Sequence, residues 1–190
     1  VDENSKAAGN EMAALLSFFK GDSWPHVLNF QGDVDLIGNP KVGYYYSSIV
    51  WRNAKVQMLV HRPVPAHKKE IVSPFGYPDL LKSWNWAGNE GEKMQVVVYT
   101  RCKTVKLELN GKIVGEQKVD DHKSIIATFE VPYTAGKLVA HCYDAKGVEV
   151  ATETLKTVGA PAAIKLIADR SNIKADRNDL SYVQVQIVDA

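Results

Sequence analysis

Residues 107–115 read LELNGKIVG. Leu107 and Leu109 flank Glu108, Asn110-Gly111 interrupts, and a second β-rich run starts at Lys112. Asn and Gly tolerate the positive φ angles that a type I′ turn needs at both central positions, and that turn matches the twist of paired strands. The stretch therefore predicts a tight hairpin. Around it, MQVVVYTR, TVKLELN, KIVGEQKV, SIIATFEV, KLVAHCYD and VEVATETLK recur at intervals of about ten residues, the rhythm of a sandwich or barrel. Tyr133-Thr134-Ala135-Gly136 and Asp144-Ala145-Lys146-Gly147 mark further turns. Residues 80–158 are thus expected to form an immunoglobulin-like β-sandwich.

Upstream the grammar differs. In NEMAALLSFFKG (10–21), Met12, Leu15, Leu16 and Phe19 recur at helical spacing, with Asn10 to cap the start and Gly21 to close the end. PKVGYYYSSIVWRN (40–53) predicts a second helix, with Pro40 in its first turn and Tyr45, Ile49 and Trp51 or Arg52 on one face. Residues 61–79 hold four of the eight prolines and read as an irregular linker. Downstream, GAPA (159–162) makes another break, after which AIKLIADR and LSYVQVQIVD look like strands. Two or three strands cannot bury both faces of a sandwich, so 159–190 reads as the beginning of a further β domain. The expected map is a partly helical 1–60, a linker 61–79, a sandwich 80–158 and this start of another.

The totals exclude several function classes. Among 190 residues, 23 Lys+Arg balance 22 Asp+Glu, and no run of like charge asks for nucleic acid or an anionic membrane. No apolar stretch approaches the roughly 20 residues of a membrane helix. The start, VDENSKAAGN, carries neither an initiator Met nor a signal-peptide pattern, and reads as a mature or excised piece. His26, His61, His67, His122 and His141 show no metal-ligand spacing, and neither cysteine has a CxxC partner. No nucleotide, nucleophile-elbow or Walker pattern is present, so no metal and no cofactor are expected. Cys102 and Cys142 could pair, yet a core of this size needs no staple, and buried free thiols are common at strand ends.

Two groups carry the functional question. In GDVDLIGNPK (32–41), Asp33 and Asp35 stand two apart, which in an extended segment puts both on one face at roughly the carboxylate spacing of glycosidases. Aspartate is equally a loop and cap residue. In SWNWAGNEG, Trp84 and Trp86 would share one face of an extended segment and could stack on the apolar faces of sugar rings. They could as well pack into the sandwich, since an indole contributes most when buried.

Taken in order, GDVDLIG–PK–YYY–W, SWNWAGNEG, VVVYTRC, LELNGKIVG, FEVPYTAGKL, TVGAP and ADRSNIKADRNDLSYVQVQIVD resemble the C-terminal half of bacterial β-galactosidases of glycoside hydrolase family 2, from about Asp22 to Ala190. The resemblance implies that the first block is the end of a (β/α)8 catalytic barrel and that β-sandwich domains follow it. It implies retaining hydrolysis by a Glu pair that lies upstream of the segment matched by Asp33 and Asp35. Glu3 and Glu11 lack the surroundings of that pair, so no catalytic residue is expected here and the two aspartates belong to the frame. Asn39-Pro40-Lys41 has the Asn-x-Lys form of the family's glucuronate grip but sits in the register of the final barrel helix, so that site is not carried over. The helix at 10–21 has no place in the family pattern and reads as an insertion. The expected role is a non-catalytic accessory region that buttresses the barrel of an enzyme acting on a carbohydrate, periplasmic or secreted by resemblance. The alternatives are a carbohydrate-binding module using Trp84 and Trp86, and a sandwich that mediates homo-oligomerisation.

Overall fold

The computed structural model describes residues 32–34, 38–72 and 77–189. The helix expected at 10–21, His26 and Asp35 lie outside them. The chain divides into two compact units, Val1–Thr157 and Val158–Ala190.

Among the described residues, the first unit holds helix α1 (Val42–Val50), then β1 (Val56–His61) and the short β2 (Leu80–Leu81). Six strands follow: β3 (Lys93–Thr100), β4 (Thr104–Leu109), β5 (Lys112–Lys118), β6 (Ile126–Pro132), β7 (Lys137–Tyr143) and β8 (Glu149–Lys156). They make two antiparallel sheets, ordered β2-β1-β3-β6 and β5-β4-β7-β8. Met58, Val60, Met94, Val96, Val98 and Val131 of the first sheet meet Val105, Leu107, Leu138, Ala140 and Leu155 of the second in one buried cluster. This is a β-sandwich. Alternation of side chains along each strand supplies its inner faces, as in β6, where Ala127, Phe129 and Val131 point in while Thr128 and Glu130 point out.

The first sheet is apolar on its outer face too. Leu59, Val97 and Tyr99, each next in sequence to an inward residue, join Tyr46, Ile49 and Val50 of α1 in a second buried cluster. Of the face expected for the helix, Ile49 is buried in this cluster and Tyr45 packs at its edge, while Tyr46 and Val50 take the place expected for Trp51 or Arg52. Trp51 lies past the helix end and is 59% exposed, and Arg52 reverses the chain there at φ 61°. Arg101, at the end of β3, donates from its guanidinium to the last carbonyls of α1, those of Ile49 (3.3 Å) and Val50 (3.5 Å). A cation there complements both the last carbonyls and the negative end of the helix dipole.

The sandwich begins earlier than residue 80. Residues 56–60 were expected to belong to the partly helical 1–60, yet they form most of β1, which pairs with both β2 and β3, for example Val60 with Leu81 and Met58 with Val98. Residues 62–72 are irregular and form a strap fastened at its ends. His61 Nε2 meets Glu70 at 2.9 Å, the other oxygen of Glu70 accepts the Asp79 backbone N–H at 2.7 Å, and Arg62 pairs with Asp79 at 2.8 Å. The Asp79 N–H and the His61 ring hold the Glu70 carboxyl below its ordinary range.

The LELNGKIVG hairpin is present as expected. Leu109 pairs with Lys112, with Asn110 at φ 52° and Gly111 at φ 84° between them. Asn110 also ties this turn to the next hairpin: its Oδ1 accepts from the Lys137 N–H and its Nδ2 donates to the Ala135 carbonyl.

In the second unit, β9 (Ala163–Ala168) and β10 (Val183–Val188) form a two-stranded antiparallel ribbon. Pairing of Ile164 with Ile187 and of Leu166 with Val185 gathers these side chains on one face, and all four are exposed. A ribbon of this kind gains little stability alone.

Gly111→Val would force a β-branched side chain into positive φ and is expected to cost about 1–3 kcal/mol. A lowered Tm in thermal unfolding checks it, and an unchanged Tm would remove the strained turn from the account.

Candidate functional site

The loop 82–92 decides what the tryptophans can do, and it is not a strand. Side chains two apart therefore need not share a face. Trp84 is fully buried between the sheets, donates Nε1–H to the Thr134 carbonyl at 3.0 Å and stands edge-on to Tyr133 at 5.1 Å. No sugar can reach it. The expected pairing of Trp84 with Trp86 as a platform is thereby corrected: a buried indole needs one acceptor, and Thr134 provides it.

Trp86 lies differently. Its backbone N–H donates to Tyr133 Oη at 3.1 Å, and its carbonyl accepts from Asn89 at both the backbone (3.0 Å) and the side chain (3.2 Å). Its ring is half-buried against the core and lines a cleft of about 940 Å³. Pro63, Val64 and Pro65 of the strap line the cleft, together with Asn89 and Glu92 of the loop and Lys93, Gln95 and Glu130 of the first sheet. Trp86 Nε1 has no hydrogen-bond partner among the described residues.

Register explains why this cleft is polar. Lys93, Gln95, Val97 and Tyr99 share the outer face of β3, and Glu130 stands beside Gln95 across the ladder. The face is apolar at Val97 and Tyr99, where α1 covers it, and polar at Lys93 and Gln95, where the strap crosses. A ring edge beside amide and carboxylate groups is the chemistry that binds a hydroxylated, partly apolar ligand.

Asp33 has a structural position. Its carbonyl accepts the Lys41 N–H at 2.8 Å, and Val34 bridges Pro40, closing the GDVDLIGNPK loop just before α1. Its carboxylate stands over Gly43: a Cβ there would come within 2.5 Å of Asp33 Oδ1 and 3.0 Å of the Tyr77 ring. A carboxylate against the first turn of a helix complements the positive end of its dipole. Asp35 lies outside the described residues.

The other candidates disperse. His67 and His122 are exposed, His61 serves the strap, and His141 sits between Glu108 (3.3 Å) and Glu149 (2.7 Å) on neighbouring strands. Among the described residues no group of His, Cys, Asp and Glu is arranged to hold a metal. Cys102 and Cys142 are free thiols in contact with each other. The Cys142 S–H bond to Cys102 draws the Cys102 thiol well below its ordinary range, while the same bond, with burial, pushes Cys142 up.

Residues 91–151, from the loop before β3 into β8, match the family described as a domain of unknown function, DUF4982. A solved glycosyl hydrolase family 2 member from Bacteroides cellulosilyticus DSM 14838 is 40% identical, with a TM-score of 0.75 over 85% of this chain and 21% of that one. The chain is similar to a segment of glycoside hydrolase family 2 enzymes. A β-galactosidase of Bacteroides ovatus, BoGH2A, is 30% identical over 87% of this chain and 17% of its own length. A β-glucuronidase of Formosa agariphila is 28% identical over 86% of this chain and 14% of its own length. The chain thus spans about a sixth of the length of the curated relatives it matches.

Trp84→Ala is expected to lose about 3–5 kcal/mol, because it empties the centre of the sandwich and strands the Thr134 carbonyl. Denaturant unfolding measures this; a loss under about 1 kcal/mol would mean the indole is not the core residue described.

Proposed function

We propose that this chain is a non-catalytic accessory region of a family 2 glycoside hydrolase, and that its sandwich buttresses the catalytic barrel. The observation that carries this reading is the apolar outer face formed by Leu59, Val97 and Tyr99, on which α1 packs through Tyr46, Ile49 and Val50. The segment 32–53 resembles the end of the barrel and its final helix. If it is, the interface between α1 and the first sheet is the seam along which sandwich and barrel support each other. Retaining hydrolysis then belongs to a Glu pair elsewhere in the longer enzyme, and galactosides and glucuronides are the two substrate classes that the names of the curated relatives offer.

The Trp86 cleft favours a second reading, a weak sugar site on the sandwich itself. Trp86 would stack on the ring while Asn89, Gln95, Glu92 and Glu130 take its hydroxyls.

Three outcomes follow. The isolated chain should release no nitrophenol from aryl β-galactosides or aryl β-glucuronides; turnover that co-purifies with the protein would end the non-catalytic reading. In the enzyme that carries this chain, Ile49→Asp should shorten the half-life of activity on heating, since it places an unpaired charge in the seam at a cost of about 3 kcal/mol. A half-life unchanged by that substitution would sink the buttress. Titration of the isolated chain with galactose, glucuronate and their disaccharides, followed by tryptophan fluorescence, should give saturable quenching that Trp86→Ala abolishes. Without saturation, the cleft is not a sugar site.

A further inference from the structure

Cys102 and Cys142 come from separate strands and meet at one end of the sandwich. Cys142 lies on β7, fully buried, in register with Val105 of β4. Cys102 lies in the turn from β3 to β4 and is half-buried. Thr100, itself fully buried, organises both. Its hydroxyl donates to the Lys55 carbonyl at 2.7 Å, accepts the Cys102 backbone N–H at 3.1 Å and lies 3.7 Å from Cys142 Sγ. Each thiol feels the other: Cys102 is drawn below its ordinary range and Cys142 pushed above it.

Cys102, and not Cys142, borders a hollow at this end of the sandwich. Cys102 lines a hollow of about 400 Å³ between the end of α1, the β3–β4 turn and the β7–β8 turn. Four cations line the same hollow: Arg52, Lys55, Arg101 and Lys103. Arg101 spends its donors on the helix carbonyls but keeps its charge, and Lys103 is paired with Asp121. Asp144 is the one acidic residue lining the hollow, and its Oδ1 is already taken by the N–H groups of Lys146 and Val148. Glu153 lies on the Cys142 side.

We propose that Cys102 and Cys142 form a redox-active dithiol that exchanges with an anionic small-molecule disulfide of the glutathione type, admitted through this cation-lined hollow. Cys102 is the attacking sulfur and Cys142 the resolving one. In the first step the Cys102 thiolate attacks one sulfur of the disulfide, an S–S bond forms as the incoming S–S bond breaks, and one thiolate leaves and takes up a proton. In the second, Cys142 gives up its proton, its sulfur attacks that of Cys102, and the second thiolate leaves and is protonated. The protein loses two electrons and two protons, and the small disulfide becomes two thiols. The product would link the β3–β4 turn to β7. A thiol that opens onto a cation-lined hollow, with a buried partner beside it, is what such exchange requires.

The test uses the native chain with glutathione disulfide in excess at neutral pH, followed by intact mass and by non-reducing peptide mapping. The expected result is loss of two hydrogens and a linked 102–142 peptide, both reversed by dithiothreitol. Cys142→Ala should stop at a stable glutathione adduct on Cys102, and Cys102→Ala should leave Cys142 reduced. At low salt, glutathione disulfide should react about 10-fold faster than the neutral hydroxyethyl disulfide, an advantage that Arg52→Gln or high salt reduces. No mass change in the native protein, or an adduct that persists on wild type without internal linkage, overturns the dithiol. Equal rates for the charged and neutral disulfides overturn the cation-lined entry. If either cysteine variant fails to fold, the wild-type mapping and the rate comparison still decide.

Discussion

The structure depends on one constraint: the two central strands of the first sheet are apolar on both faces. Along β1 and β3, Met58 and Leu59, Val96 and Val97, and Val98 and Tyr99 are neighbours in sequence that point to opposite sides, and all six are buried. One side is satisfied by the second sheet. The other would expose three large apolar side chains, each worth about 1.5–3 kcal/mol when buried. A helix laid across them removes that penalty, and α1 is that helix. Arg101 then fixes its C-terminal end, and Asp33 stands against its first turn. The segment before the sandwich is therefore bound to the sandwich by the chemistry of the sheet.

Much of this was legible in the sequence, where local chemistry decides. Asn110-Gly111 can hardly be anything but a tight turn, and the spaced β-rich runs from Lys93 to Lys156 became strands. The helix at 40–53 was found, two or three residues too long at each end. β1 was missed because VQMLVH is only six residues, placed between a helix and a proline-rich stretch that reads as linker. The run VVVY at 96–99 held a usable signal: a strand apolar at consecutive positions is buried on both faces. It implied both a partner strand and a covering helix.

Trp84 and Trp86 show the limit of periodicity. The rule that side chains two apart share a face holds for extended backbone, and 82–92 is a loop. There, hydrogen bonding chose the positions. The Thr134 carbonyl captured the Trp84 indole inside, while the Trp86 backbone was held by Tyr133 and Asn89 with its ring at the cleft. No sequence pattern tells which of two tryptophans finds the buried acceptor, because that acceptor lies fifty residues away in the chain. The same holds for Cys102 and Cys142, whose meeting depends on the register of β4 with β7.

The outer face of the first sheet also links the two functional readings. At Val97 and Tyr99 it is apolar and bears α1; two and four residues before Val97, at Gln95 and Lys93, it is polar and forms the floor of the Trp86 cleft. If α1 is the end of a barrel, the barrel approaches the same face on which the cleft opens. A cleft so placed has two uses that differ in solvent exposure. It can hold a sugar at the rim of the barrel, or it can take barrel side chains, in which case the Trp86 ring is covered in the longer enzyme. Mixed polar and apolar lining suits either, since interfaces between domains of one chain are themselves more polar than a core. What separates them is whether the cleft fills in the isolated chain: a sugar site works without the barrel, and a docking socket does not.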